Sequence, residues 1–224
     1  MLKEDFDIFI NEVNSEEFRA LNEPRSGKKI QDVKNEINNK SVIVVGNSSL
    51  MLDCKYGELI DSHDCVIRCN LGFNTPDRHV YLGEKTDIWV TSWSSKNKYS
   101  NDKFMRGLSF FKNCNMFLFL FAFNNMYVKN KFFLNKCYQD SVDNYCELSS
   151  RLIEKPSTGC MVINFLYNNI DFKSLSIVGF DFNRSKTSLS GWKKGYECCH
   201  NSNGREEEYI MSIVKSGKAS FYEL

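Results

Sequence analysis

The chain has 224 residues, 42% hydrophobic and 25% charged, a balance that supports one sizeable domain with its own core and excludes a disordered or fibrous chain. Its Lys and Arg number 29 against 28 Asp and Glu, giving a net charge of +1. No overall field draws such a protein to nucleic acid or an anionic membrane, so any anionic ligand must be bound locally.

Residues 1–40 are polar and helix-prone, with Phe6, Ile8, Phe9, Val13 and Phe18 roughly along one stripe and a breaker at 24–27. They are expected to form an N-terminal helical arm, leaving 41–224 as the domain proper. The opening MLKEDFDIFINEVNSEEF is punctuated by charge and offers neither the apolar core of a signal peptide nor a spanning helix. A soluble, cytoplasmic protein without an export signal or membrane anchor is the expectation. The nine cysteines contain no CxxC pair, and without an export signal they are expected to be reduced thiols. Cys198 and Cys199 beside His200 resemble a fragment of a metal site, but two further ligands at workable spacing are missing nearby, so no metal is expected.

SVIVVGNSS, residues 41–49, is a short β-branched run closing in a glycine turn, the pattern of a fully buried parallel strand. Further strands are expected at 65–69, 86–91, 116–121, 174–178 and 219–221. The stretch MFLFLFAF, residues 116–123, is far too short to cross a bilayer and reads as a buried strand. Helices are expected at 51–59, 102–111, 140–152, 158–168 and 206–214, the last with three glutamates in its first turn and Lys215 at its end, complementing its dipole. Strands and helices alternate, as a parallel α/β sheet flanked by helices requires.

In such a sheet, ligands bind beyond the carboxyl ends of the strands, so the residues just after strands carry the functional signal. Gly46, Asn47 and Ser48 follow the first strand: the glycine admits a ligand close to the backbone, and the amide and hydroxyl donate to phosphate or ribose. By itself this is as often a plain turn, and a GxGxxG dinucleotide signature is lacking. Asp61, Ser62, His63 and Asp64 form a polar knot ahead of the strand that ends in Arg68 and Asn70, a pattern that a salt-bridged turn explains. Pro156, Ser157, Thr158 and Gly159 open an apolar helix, capping it and offering backbone N–H groups as an anion cradle.

Taken in order, these segments resemble the sialylmotifs of the family 29 glycosyltransferases, the sialyltransferases. VIVVGNSS, YGELIDSHDCVIRCN and YLGEKTD, within residues 42–87, are similar to the long motif; PSTGCMVINFLYN with LSIVGFDF is similar to the short one. His200 followed by Glu206 or Glu207 resembles the very short motif. The resemblance implies a GT-A-like Rossmann variant with a mainly parallel sheet, and an inverting, metal-independent transfer. It implies sialic acid or a related 2-keto sugar acid moving from a CMP-sugar donor to a hydroxyl of a glycan or glycolipid, with the donor as substrate and no cofactor.

Carried over by position, Asn47 and Asn70 hold the nucleotide, with Ser48 and Gly179 beside them, and Ser157, Thr158 and Gly159 contact the donor around its ribose and sugar carboxylate. His200 is implied as the base, with Glu206 fixing its loop or orienting its imidazole. An imidazole titrating near ~6.5 suits removal of a hydroxyl proton as the glycosidic bond forms. The only DxD, Asp5-Phe6-Asp7, lies ahead of the first strand, out of place for a metal-bound donor. The family's second histidine, which meets the leaving phosphate, has no counterpart between 182 and 200; Lys193, Lys194, Tyr196 and Trp192 are the candidates to replace it. Residues 124–136 are assigned to an acceptor loop. Where animal members carry a disulfide, the register puts Val42 and Ile170, which implies a bacterial or viral type in a reducing compartment. Two other readings stay open: a catalytically weak CMP-sugar or glycan binder, and an unrelated Rossmann-type nucleotide enzyme.

Overall fold

A computed structural model describes residues 27–70, 72, 75–94, 113–123, 136–182, 184 and 204–224. In chain order the elements are α1 (Ile30–Ile37), β1 (Ser41–Val45), a 3-10 turn (Ser49–Asp53), α2 (Gly57–Asp61), β2 (Cys65–Cys69), a 3-10 turn (Pro76–Arg78), α3 (His79–Leu82) and β3 (Ile88–Ser94). There follow β4 (Met116–Phe123), β5 (Cys137–Gln139), α4 (Val142–Leu152), α5 (Thr158–Asn169), β6 (Ser174–Val178), α6 (Arg205–Lys215) and β7 (Ser220–Tyr222). The strands form one seven-stranded sheet in the order β5-β4-β3-β2-β1-β6-β7, and every pairing is parallel.

The uniform run SVIVV makes sense once both faces of the sheet are covered. Successive side chains of a strand point to opposite faces. Val42 and Val44 enter a core shared with α1, α4, α5 and α6, while Ile43 and Val45 enter a second core with Met51, Ile60 and Leu82. Strand β2 divides likewise, Cys65, Ile67 and Cys69 against Val66. Helix α5 lies in the larger core: Thr158 to Ile163 are six consecutive buried residues, followed by buried Phe165 and Leu166. A helix apolar on nearly all sides is a buried one. Val42 and Ile170 both belong to this core, so apolar packing occupies the positions that the family resemblance assigns to a disulfide.

Within the described residues the expected strands and helices recur, with two differences. The helix expected at 51–59 is split into a 3-10 turn and α2. Ser48 caps the first piece by accepting from Leu50 N at 3.2 Å, and Gly57 starts the second where a Cβ would stand 2.1 Å from the His79 carbonyl oxygen. The short elements β5 and α3 carry no periodic signal, being three and four residues long. The helix expected at 102–111 and residues 1–26 of the expected arm lie outside the described residues; within 27–40, α1 packs Val33 and Ile37 into the core.

The polar knot before β2 is structural and sits at the amino ends of the strands. Asp64 accepts from Ser41 N at 2.9 Å and Ser41 Oγ at 2.7 Å, and Asp61 accepts from the backbone of Glu84 and Lys85. It is a hydrogen-bonded turn more than a salt-bridged one. Arg68 is fully buried on the Val66 face of β2, donating to the carbonyls of Leu82 and Lys85 at 2.6 and 2.9 Å and to Thr86 Oγ1 at 2.8 Å. Burial pulls its pKa down to about 10. It holds the loop within YLGEKTD in place.

Candidate functional site

The strand order reverses between β1 and β6. From β1 the chain builds outward through β2 to β5, then returns to β6 on the other side of β1. A crevice opens at such a switch point beyond the carboxyl ends of the two strands. Here the two ends touch: Gly46 N donates to Val178 O at 2.8 Å, and a Cβ on Gly46 would lie 2.2 Å from the Gly179 carbonyl oxygen. Gly179 itself has φ +79°, in the left-handed region where a side chain is strained. The junction requires glycine on both sides.

Asn47 and Ser48 leave this junction in different roles. The Ser48 hydroxyl is buried and donates to Asp181 Oδ2 at 2.9 Å, while Ser48 N donates to Gly179 O at 3.1 Å. It locks the end of β1 to the end of β6. Asn47 Oδ1, by contrast, is buried and has no hydrogen-bond partner among the described residues. A buried polar atom without a partner is costly unless a ligand supplies one.

Asn70, directly after β2, adopts φ +53°, and its carbonyl accepts from Trp89 Nε1 at 2.6 Å. Its side-chain Oδ1 accepts from Thr91 Oγ1 at 3.3 Å and from Thr158 Oγ1 at 3.4 Å. Thr91 stands where β3 slips register against β4, a bulge that aims side chains near sites. The contact with Thr158 brings the start of α5 to the end of β2, and Gly159 fits against Phe180, whose ring a Cβ there would meet at 2.3 Å.

The start of α5 is tied down on its far side. Ser157 caps the helix, its hydroxyl accepting from Cys160 N at 3.1 Å. That same hydroxyl donates to Glu206 Oε1 at 2.5 Å, and Ser157 N donates to Glu206 Oε2 at 2.9 Å. The backbone N–H groups of the first turn are those a helix leaves without intrahelical partners, which gives the turn its attraction for anions. Burial beside Glu206 pushes the Cys160 thiol well up, so it is an inert core group.

Asn70 is thereby joined to Thr158, and Gly46 and Gly159 both meet Phe180, so the ends of β1 and β2 and the start of α5 lie together at the switch point, with Ser48, Gly179 and Ser157 as fasteners. Glu206 grips Ser157. His200, Tyr196, Lys193, Lys194 and Trp192 lie outside the described residues, as do Cys198, Cys199 and residues 124–135. Neither described histidine belongs to the crevice: His63 bonds Ser176 Oγ and Leu59 O, each at 2.8 Å, and His79 faces Glu84 at 3.1 Å. Among the described residues there is no group of three His, Cys, Asp or Glu side chains placed to hold a metal, and no helix long and apolar enough to cross a membrane. Asp181, Thr91 and Phe180 were not singled out from sequence. Asp181 follows β6 and carried the same positional signal as Asn47, whereas Thr91 reads simply as strand.

The sequence model of glycosyltransferase family 29 (sialyltransferase) matches residues 2–172. A mammalian sialyltransferase solved with Gal-beta-1-3GalNAc-ortho-nitrophenol is 16% identical, with TM-score 0.54, over 99% of this chain and 86% of that one. A variant of the sialyltransferase CST-II solved with CMP is also 16% identical, with TM-score 0.53, over 82% of this chain and 80% of that one. These structures share the fold, a GT-A-like Rossmann variant.

Proposed function

The chain belongs to glycosyltransferase family 29, the sialyltransferases, and from that premise we propose that it moves a sialic acid or a related 2-keto sugar acid from a CMP-linked donor to a glycan hydroxyl, with inversion and without a metal. The observation that carries this reading is the convergence of Asn47, Asn70, Thr158 and Gly159 at the β1/β6 switch point, with Asn47 Oδ1 buried and unpaired. That crevice offers a hydrogen-bond acceptor from Asn47, the polar side chain of Asn70, and the N–H groups of a helix start. Ribose hydroxyls, phosphate oxygens and a sugar carboxylate match such a set. A related fold, that of CST-II, has been solved with CMP.

In the proposed reaction the acceptor oxygen forms a bond to the anomeric carbon as the bond from that carbon to the phosphate oxygen breaks. The acceptor proton passes to His200, and the electron pair leaves with CMP, whose phosphate gathers charge that N–H donors stabilise. Metal independence is supported by the misplaced DxD at Asp5-Phe6-Asp7. A reducing compartment is supported by the core packing of Val42 and Ile170 at the positions where animal members carry a disulfide.

The test is incubation with CMP-Neu5Ac and with CMP-Kdo over an acceptor panel, with and without EDTA, following CMP release and product mass. Acceptor-dependent CMP release with a glycosylated product, unchanged by EDTA, is the expected result. Binding of CMP without any product across the panel would replace the transferase reading with the binder.

A further inference from the structure

Glu206, in the acidic first turn of α6, also holds a residue 49 positions away in sequence. It is 3% exposed and holds both the N–H and the hydroxyl of Ser157, at 2.9 and 2.5 Å. Resting on the transferase reading above, we propose that Glu206 is a positioning residue for donor binding, acting through the Ser157–Gly159 turn and setting donor affinity more than the chemical step.

The physical case starts from cost. A buried carboxylate is held only if strong hydrogen bonds offset its lost hydration. Glu206 stands in the first turn of α6 and touches the N-cap of α5, so its charge lies between the positive ends of two helices. Dipole compensation of α6 alone does not need it buried, because Glu207 and Glu208 share that first turn. Nor is it needed merely to tie α6 to α5. Further along the same helix pair, Tyr209 OH donates to Asn164 Oδ1 at 2.6 Å and does that with neutral groups.

What the carboxylate adds is a two-point grip. One oxygen fixes the Ser157 backbone and the other its hydroxyl, so the turn is held in orientation as well as in position. The opposite side of that turn meets Asn70 through Thr158 and Phe180 through Gly159. The N–H groups of the turn are thereby kept in register with Asn70. A shift of about 1 Å in such a turn is enough to take donors off a bound anion.

The test is calorimetric titration of CMP into the full chain, alongside donor KM and kcat, for Glu206→Gln and for Tyr209→Phe as the structural control. Glutamine keeps one acceptor and presents an NH2 where the second acceptor stood. Glu206→Gln is expected to weaken CMP about tenfold or more and to raise donor KM in step, with kcat within about threefold of wild type. Tyr209→Phe is expected to lower Tm with CMP affinity unchanged. If Glu206→Gln does not fold, Ser157→Ala and Ser157→Thr decide: the alanine variant loses CMP affinity and the threonine variant, which keeps the hydroxyl, retains it. A folded Glu206→Gln protein that binds CMP like wild type overturns the inference alone. Wild-type protein that binds no cytidine nucleotide overturns both it and the transferase reading.

Discussion

Replacing Gly46 by alanine tests the junction on which the crevice is built. The new Cβ would lie 2.2 Å from the carbonyl oxygen and 2.6 Å from the carbonyl carbon of Gly179, both backbone atoms that no rotamer change moves. Reaching ordinary contact, which begins at 3.4 Å, requires the ends of β1 and β6 to part by about 1 Å. That separation weakens the bonds from Gly46 N to Val178 O and from Ser48 N to Gly179 O, now 2.8 and 3.1 Å. Each is worth about 1 kcal/mol net, and overpacking adds about 1–3 kcal/mol, so the expected cost is about 3–5 kcal/mol. For a chain of this size that lowers Tm by about 6–20 °C. Urea unfolding followed by circular dichroism measures it, and CMP titration at low temperature, where the variant is folded, measures the accompanying loss of affinity. A Tm within about 2 °C of wild type and an unchanged CMP affinity would refute the reasoning.

Three further outcomes are expected. His200→Ala lowers kcat by about 10²–10⁴ while CMP affinity, by calorimetry, stays within about twofold; retained turnover would remove His200 as base. Arg68→Lys costs about 2–4 kcal/mol in urea unfolding, because one ammonium cannot reach the carbonyls of Leu82 and Lys85 and the hydroxyl of Thr86 together. A cost under about 0.5 kcal/mol would contradict the role given to this guanidinium. Burial raises the pKa of Asp140, which accepts from Asn144 Nδ2 at 2.8 Å and Tyr138 OH at 3.1 Å. The folded state then binds the proton more tightly than the unfolded one, so this group's contribution to stability is greatest below the unfolded pKa and is lost as pH rises through the folded one. Asp140→Asn removes that slope: its Tm relative to wild type rises between pH 4 and pH 8, and a flat difference in scanning calorimetry would count against it.

The parallel sheet was legible because its strands are buried on both faces and spell that out in runs such as SVIVV. The placement of Asn47, Asn70 and Gly179 at the carboxyl ends of strands was legible for a related reason, since each stands within two residues of a strand's end. What was not legible depends on partners distant in sequence. The Ser48 hydroxyl reads as a phosphate donor until Asp181, 133 residues away, is found to hold it. Glu206 reads as helix-dipole compensation until Ser157, 49 residues away, takes both its oxygens. The break between the 3-10 turn and α2 is set by the close approach of Gly57 to the His79 carbonyl, a contact with no local signature. Strand β5 is three residues long and pairs at an edge, too short for any period to show.

The central claim is that the β1/β6 crevice is a cytidine nucleotide site, and the most direct measurement is the binding of CMP, UMP and AMP to wild type, Asn47→Ala and Asn70→Ala by calorimetry. Wild type is expected to prefer CMP, and each alanine variant to weaken it at least about tenfold, Asn47→Ala with little change in Tm. CMP binding that is absent, or that is indifferent to both asparagines, would contradict it.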